Sequence, residues 1–327
     1  MTPTFSSPIA AALARFLIGK RAAGYRYREE EGMLRVLDRF LIGRMASTDP
    51  VLTMDLARAF VARWGTESEC TRAHRLSLLR EVCRFLALDE PRTAMIPPRW
   101  LGIHRRTFVP RVLTHDEGRR FLEACATLGS RHGSPIRGPV LGTALLLLYL
   151  SGLRAGEVRR LTEGDVDLDA AVLHVRDTKF GKSRLVPIAG DVASRLHACH
   201  VAVVGHFGPR DAAAPFFPAP SGRPYSLSGL RAAFHQVLAD ATIPRRHAGR
   251  PLRLHDLRHS FAVLRLVLWY RQQADLGATL PALATYLGHV GLTSSQRYLQ
   301  LTEDLVAEIT RRHAARFGHL ITERASR

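Results

Sequence analysis

The chain has 327 residues, enough for two ordinary domains with a sizeable core. Hydrophobic residues make up 46% and charged residues 23%, which excludes a disordered or fibrous protein. Its longest apolar run, near Leu145 to Leu150, is far short of the roughly 20 residues that a membrane span needs. With 47 Lys+Arg against 29 Asp+Glu the formal net charge is +18. Such an excess repels itself in a compact state unless a polyanion shares it, so nucleic acid is the expected partner. Cys70, Cys83, Cys125 and Cys199 show no C-x-x-C spacing, and nothing at the N-terminus reads as a signal peptide. Reduced thiols in a cytoplasmic, nucleoid-associated protein are expected.

Residues 1–100 read as all-helical. Apolar residues recur at helical spacing over Ala11 to Gly19, Met33 to Met45, Met54 to Trp64 and Leu76 to Leu88. Arginines interleave with them, among them Arg72 and Arg75, and together suggest a phosphate-contacting surface. The proline-rich stretch Asp89 to Pro98 and the basic run from Arg99 to Arg111, which holds Arg105 and Arg106, read as an interdomain linker lying on a DNA backbone. The linker proper is set at 101–111, and a larger domain is expected over 112–310. That domain opens with a capping box, Thr114-His-Asp-Glu117. Gly142 to Ser151 reads as a buried helix; Asp165 to Val175 and Ser183 to Ile188 read as short strands around a turn at Phe180-Gly181. Pro215 to Pro224 is a loop, and helices follow. The fold class expected is mainly α with a small β-sheet, α+β. Residues 311–327 form a basic tail with apolar Phe317, Leu320 and Ile321.

Four stretches carry chemistry. In Ser151-Gly-Leu-Arg154-Ala-Gly-Glu157, Gly152 ends the apolar helix and places Arg154 at the start of the next, where a guanidinium adds a bidentate fork to free N–H groups and suits a phosphate. Glu157 lies on the same helix face and can hold Arg154; a plain surface pair is the other reading. Lysine occurs three times in the chain, as Lys20, Lys179 and Lys182, and two of these share one turn. Lysine can surrender a proton where arginine cannot, so Lys179 fits a general acid; Lys182 fits a DNA contact, and a solvated turn remains open for both.

In Arg253-Leu-His255-Asp-Leu-Arg258-His259, His255 and Arg258 share a helix face and pair a proton shuttle with a phosphate grip. His255 and His259 superficially match the zinc spacing H-E-x-x-H, but Asp256 replaces the glutamate and Arg258 sets a cation beside the site, so no metal is expected. Leu257, Phe261, Leu264 and Leu268 read as the buried stripe of that helix. Last, Leu-Gly-His289-Val-Gly is followed nine residues on by Tyr298. A tyrosine at helical spacing can equally be a core residue.

In order and spacing these stretches resemble the tyrosine recombinases of the phage integrase type: Ser-Gly-Leu-Arg154-x-x-Glu157, Lys179 ahead of Arg-Leu-Val-Pro, His255-x-x-Arg258, Leu-Gly-His289 and Tyr298. The resemblance covers about residues 110 to 310 and fills all six expected catalytic positions; residues 1–100 match only in helicity and charge. It implies a two-domain clamp on double-stranded DNA, with a helical core-site-binding domain ahead of the catalytic domain. Arg154 and Arg258 would grip the scissile phosphate, His255 would act as acid/base on the phenol, Lys179 would protonate the leaving oxygen and His289 would bond the phosphate. Glu157 would support, and Tyr298 would form a 3′-phosphotyrosyl link without any cofactor.

The resemblance further implies a tetramer on paired recombination sites of a mobile element, with an accessory recombinase or directionality factor as further partner and no arm-site domain before residue 1. For the tail, docking on a neighbouring protomer is one reading; a frayed end or a helix packed on its own chain is the other. Alternatives are a type IB topoisomerase-like relaxing enzyme, an inactive DNA-binding accessory protein, and a zinc hydrolase on His255 and His259.

Overall fold

The computed structural model describes residues 4–98, 100–102, 110–129, 134–176, 183–247 and 249–288. The chain divides into two compact units, 1–108 and 109–327.

Unit 1 is built of four helices, α1 (Ala10–Ala22), α2 (Arg28–Leu41), α3 (Met54–Val61) and α4 (Glu69–Leu86). Their starts follow from local chemistry. Thr53 and Ser68 cap α3 and α4, accepting from the Leu56 and Thr71 amides at 3.3 and 3.1 Å. Three glutamates, Glu29 to Glu31, lie at the positive end of the α2 dipole. The core is a single cluster in which Leu13, Leu17, Leu34, Phe60, Leu76 and Val82 are fully buried. Helix α2 stops four residues before the apolar periodicity does. The chain turns at Gly43, yet Met45 is still buried, so its side chain continues the pattern without the helix.

Asp89 to Pro98 is not a linker. Ala94 and Ile96 are buried in the unit 1 core, the Ala94 amide donates to Leu52 O at 2.8 Å, and Arg80 donates to Ile96 O and Pro97 O. Its prolines suit an irregular strap fixed by packing rather than a free connection. Arg75 also departs from expectation. Its side chain is buried, paired with Glu67 at 2.7 Å, bonded to Ala62 O at 2.6 Å and stacked 3.9 Å from the Trp64 ring centre. A guanidinium so engaged holds unit 1 together and has little to offer a phosphate. Arg72 is partly committed too, donating through Nε to Val61 O at 2.7 Å.

Unit 2 contains α5 (His115–Ala126), α6 (Arg137–Ser151), α7 (Ala155–Val158), α8 (Gly190–Phe207), α9 (Leu227–Asp240), α10 (Leu254–Arg271) and α11 (Leu276–Leu287). A small antiparallel sheet joins β1 (Val166–Asp167), β2 (Val172–Val175) and β3 (Arg184–Pro187) in that order, and β4 (Arg246–His247) pairs with β5 (Arg250–Pro251). The capping box forms as read, with both Thr114–Glu117 hydrogen bonds present. Helix α6 is apolar on every side because it is enclosed: α5, α8, α9 and α10 all pack on it.

In the sheet, Leu173 pairs with Val186 and Val175 with Arg184, which turns Leu173, Val175 and Val186 into the core. Residues 177–182, with Lys179 and Lys182, lie outside the described residues. On α10, Leu257 and Phe261 are buried and Leu264 is partly so, but Leu268 is exposed. Val263 and Val267 are buried instead against Val112, so the inward face rotates toward the segment that enters the unit. Among the described residues no helix is long and apolar enough to cross a membrane.

Candidate active site

The site starts at a glycine. Gly152 ends α6 with φ +64°, and a Cβ there would lie 2.5 Å from Phe261 Cδ1 and 2.9 Å from Leu287 Cδ2. Both the turn and the close approach of α10 and α11 require glycine. The turn makes Arg154 the N-cap of α7. Its amide donates to Glu157 Oε2 at 3.0 Å, its Nη1 to Glu157 Oε1 at 2.6 Å and its Nη2 to Gly288 O at 3.2 Å. The Arg154 side chain keeps 30% exposure.

Helix α10 supplies Arg258, which is 1% exposed. It donates to Gly152 O at 2.9 Å and Leu287 O at 2.7 Å. Strand β3 supplies Arg184, which donates to Tyr286 O at 2.8 Å and to the two Glu157 oxygens at 3.3 and 3.0 Å. Three guanidiniums from three elements thus end on the consecutive carbonyls of Tyr286, Leu287 and Gly288. These are the unsatisfied carbonyls at the negative end of α11, where cations are favoured. Glu157 is buried between two of the arginines. Burial pushes its carboxyl upward, but hydrogen bonds from Arg184 and the Arg154 amide and the two positive charges outweigh it and hold the pKa at about 2.

His255 stands in the first turn of α10, three residues before Arg258. Its ring faces an open cleft of about 950 Å³ shared with Arg231, His235, Arg245, Arg246 and Arg253. Partial desolvation, followed by the charges of Arg258, Arg253 and Arg154, lowers its pKa to about 4. The imidazole is therefore neutral near pH 7 and able to accept a proton. The same cleft gathers cations that the sequence reading passed over. Arg231 comes from α9 and Arg245 and Arg246 from the start of the β4–β5 hairpin, with Arg245 Nη2 2.7 Å from His235 Nδ1. Only the Arg245-Arg246 run signalled them in sequence.

Of the expected site residues, Arg154, Glu157, His255 and Arg258 come together. Lys179, Lys182, His289, Tyr298, Arg105 and Arg106 lie outside the described residues. The His255 and His259 rings meet edge to face at 4.8 Å, and no group of His, Cys, Asp or Glu among the described residues could hold a metal ion. Arg184 was missed as a site residue because Arg-Leu-Val-Pro reads as a strand; its position directly after the lysine-bearing turn was the available signal.

A mostly helical domain that focuses guanidiniums on one helix end, with a neutral imidazole in reach of their charge, has the equipment of an enzyme that works on a phosphodiester. Comparison with known proteins gives the particular kind. Residues 111–304 match the phage integrase family model. A protein of Sinorhizobium fredii assigned as an integrase/recombinase, y4rE, is 37% identical over 309 residues, 93% of this chain and 95% of that one. The tyrosine recombinase XerC of Mycobacterium tuberculosis is 30% identical over 277 residues, 82% and 85% of the two chains. The Tn1549 transposon integrase, solved with transposon right end DNA, shares the fold with a TM-score of 0.65 at 17% identity, over 93% of this chain and 99% of that one. The chain belongs to the phage integrase family and is a site-specific tyrosine recombinase.

Proposed function

We propose that this recombinase cuts and rejoins duplex DNA through a 3′-phosphotyrosyl link at Tyr298. The observation that carries the reading is the convergence of Arg154 and Arg258 on the end of α11, with His255 near enough to feel both charges; in sequence the chain continues from that end into His289 and on to Tyr298. The Tyr298 oxygen attacks the scissile phosphorus, the bond to the 5′-oxygen breaks, and that oxygen leaves with a proton from Lys179. His255, neutral at working pH, takes the phenolic proton. Arg154 and Arg258 stabilise the charge on the non-bridging oxygens, and His289 adds a hydrogen bond. The phosphotyrosyl ester keeps the energy of the broken bond, so a second 5′-hydroxyl can reseal the strand in the reverse reaction.

The cleft beside His255 suits the backbone flanking the cut, with Arg231, Arg245 and Arg246 as phosphate contacts. Unit 1 serves as the core-site-binding domain, with Arg72, Arg105, Arg106 and Lys182 as further contacts; Arg75 is left out because its guanidinium is taken up by the Glu67 carboxylate and the Trp64 face. Exchange between two duplexes needs four cleavages and each chain offers one Tyr298, which supports a tetramer acting in integration, excision or transposition. The tail, through Phe317, Leu320 and Ile321, seats in a neighbouring copy. The receiving site is an apolar groove of about 420 Å³ lined by Leu150, Ile188, Val192, Phe261, Trp269 and Leu283.

The test is covalent capture on a library of nicked duplexes cut from the host genome. The parent chain becomes linked to DNA, and Tyr298→Phe binds duplex but forms no link. A link that survives in Tyr298→Phe overturns the assignment. Tyr286 is a poor substitute nucleophile. Its phenol is held against Phe261 and bonded to Pro187 O, and burial raises its pKa.

A further inference from the structure

Arg184 is not among the groups given a chemical step above, yet its guanidinium joins two parts of the site, Glu157 and the end of α11. It is the first residue of β3, two positions after Lys182 in sequence. Its guanidinium meets both oxygens of Glu157 and the carbonyl of Tyr286 at once. It also explains a motif glycine. Gly288 has φ +68°, and a Cβ on it would sit 2.9 Å from Arg184 Nη1 and 3.2 Å from Cζ. The glycine before His289 is thus needed for the left-handed turn that ends α11 and for the space that this guanidinium fills.

We propose that Arg184 is a positioning residue of the cleavage centre, fastening β3, Glu157 and the end of α11 into one unit so that Arg154 keeps part of its fork for the phosphate. This rests on the phosphotyrosyl reading above. Glu157 has two cationic partners, and its side chain is 2% exposed. With both present, Arg154 shares the carboxylate and keeps part of its fork for substrate. Without Arg184 the buried charge falls to Arg154 alone, which turns the fork inward and away from the phosphate. The carbonyl of Tyr286 also loses its donor, which loosens the stretch leading to His289. Lysine at position 184 would bring the charge but as a single point; it cannot span both carboxylate oxygens and the carbonyl together.

The experiment uses the full-length chain and the nicked duplex that the parent protein captures. It measures duplex affinity, thermal unfolding and the single-turnover rate of covalent link formation for the parent, Arg184→Met, Arg184→Lys, Glu157→Gln and the double variant Arg184→Met/Glu157→Gln. Arg184→Met is expected to slow link formation by about 100-fold, the scale of a misplacement of roughly 1 Å. Its duplex affinity stays near that of the parent, and Arg184→Lys falls between the two. Replacing the carboxylate by a neutral amide removes the charge that captures Arg154, so the double variant recovers to within about 10-fold of the parent rate.

A general loss of packing would not be cured by a second change at the partner, so recovery separates positioning from folding. Arg184→Met cleaving at the parent rate overturns the proposal, as does a slow Arg184→Met that Glu157→Gln leaves equally slow. A parent chain that captures no strand overturns the phosphotyrosyl reading itself, and the proposal with it.

Discussion

Glu157 carries one negative charge among guanidiniums, and its ionisation is part of what holds unit 2 together. Its folded pKa of about 2 lies below the ordinary value of 4.5. The stabilisation is therefore fully present above about pH 4.5 and is lost as pH falls through 2. From the size of the shift it is worth about 3 kcal/mol. Urea unfolding followed across that window should show stability dropping in the parent and a flatter profile in Glu157→Gln.

His255 is shifted in the same direction. Its pKa of about 4 means that the base form persists far below neutrality, so link formation should be insensitive to this group around pH 7 and should fail as pH drops toward 4. A rate that titrates near 6.5 would contradict this. Arg75 gives the third expectation at this scale. Arg75→Ala leaves Glu67 without its buried partner and strips a cation from the Trp64 face. It should cost about 3–5 kcal/mol in thermal unfolding of unit 1. Duplex affinity of the folded variant should scarcely change, because the lost cation never reached solvent.

At the scale of elements, the centre depends on how closely α6, α10 and α11 approach. Gly152 is where all three meet, since its missing side chain is the space taken by Phe261 and Leu287. Gly152→Ala would force both side chains away and strain a left-handed turn. A loss of about 1–3 kcal/mol is expected, with link formation reduced beyond what the melting temperature explains, because Arg258 hangs on Gly152 O. The short sheet has a different task. With Leu173, Val175 and Val186 inward and Leu185 outward it is anchored on one face only. That anchored face fixes β3, and β3 fixes Arg184.

For the whole molecule the deciding quantity is charge. A net +18 on a chain of this size makes binding to duplex DNA largely a release of counterions. Affinity should fall by on the order of 1,000-fold between 50 and 200 mM salt if about six or more phosphates are contacted. A nearly flat response would contradict a polyanion partner. The two units have separate cores, and each buries its own apolar cluster. A truncation before residue 311 should leave both cores intact and DNA capture by single chains possible, while abolishing higher assemblies on paired sites. Native electrophoresis of the captured complexes would show it.

The sequence by itself determined the family. Glycine, arginine, histidine and tyrosine stand in the order and spacing that resemble the phage integrases, and local rules placed the caps, the enclosed α6 and the paired strands, because each depends on neighbours within a few residues. Tertiary structure decided what the cations do. Arg75 and Arg72 look alike in a basic helix, yet packing against Trp64 and Glu67 buries the first and only half commits the second. Asp89 to Pro98 looks like a linker until Ala94 and Ile96 are seen inside a core. Arg184 lies 27 and 102 residues from the Glu157 and Tyr286 that it meets. Whether a guanidinium faces a phosphate, a carboxylate or a helix end is set by contacts distant in the chain, and periodicity carries no record of them.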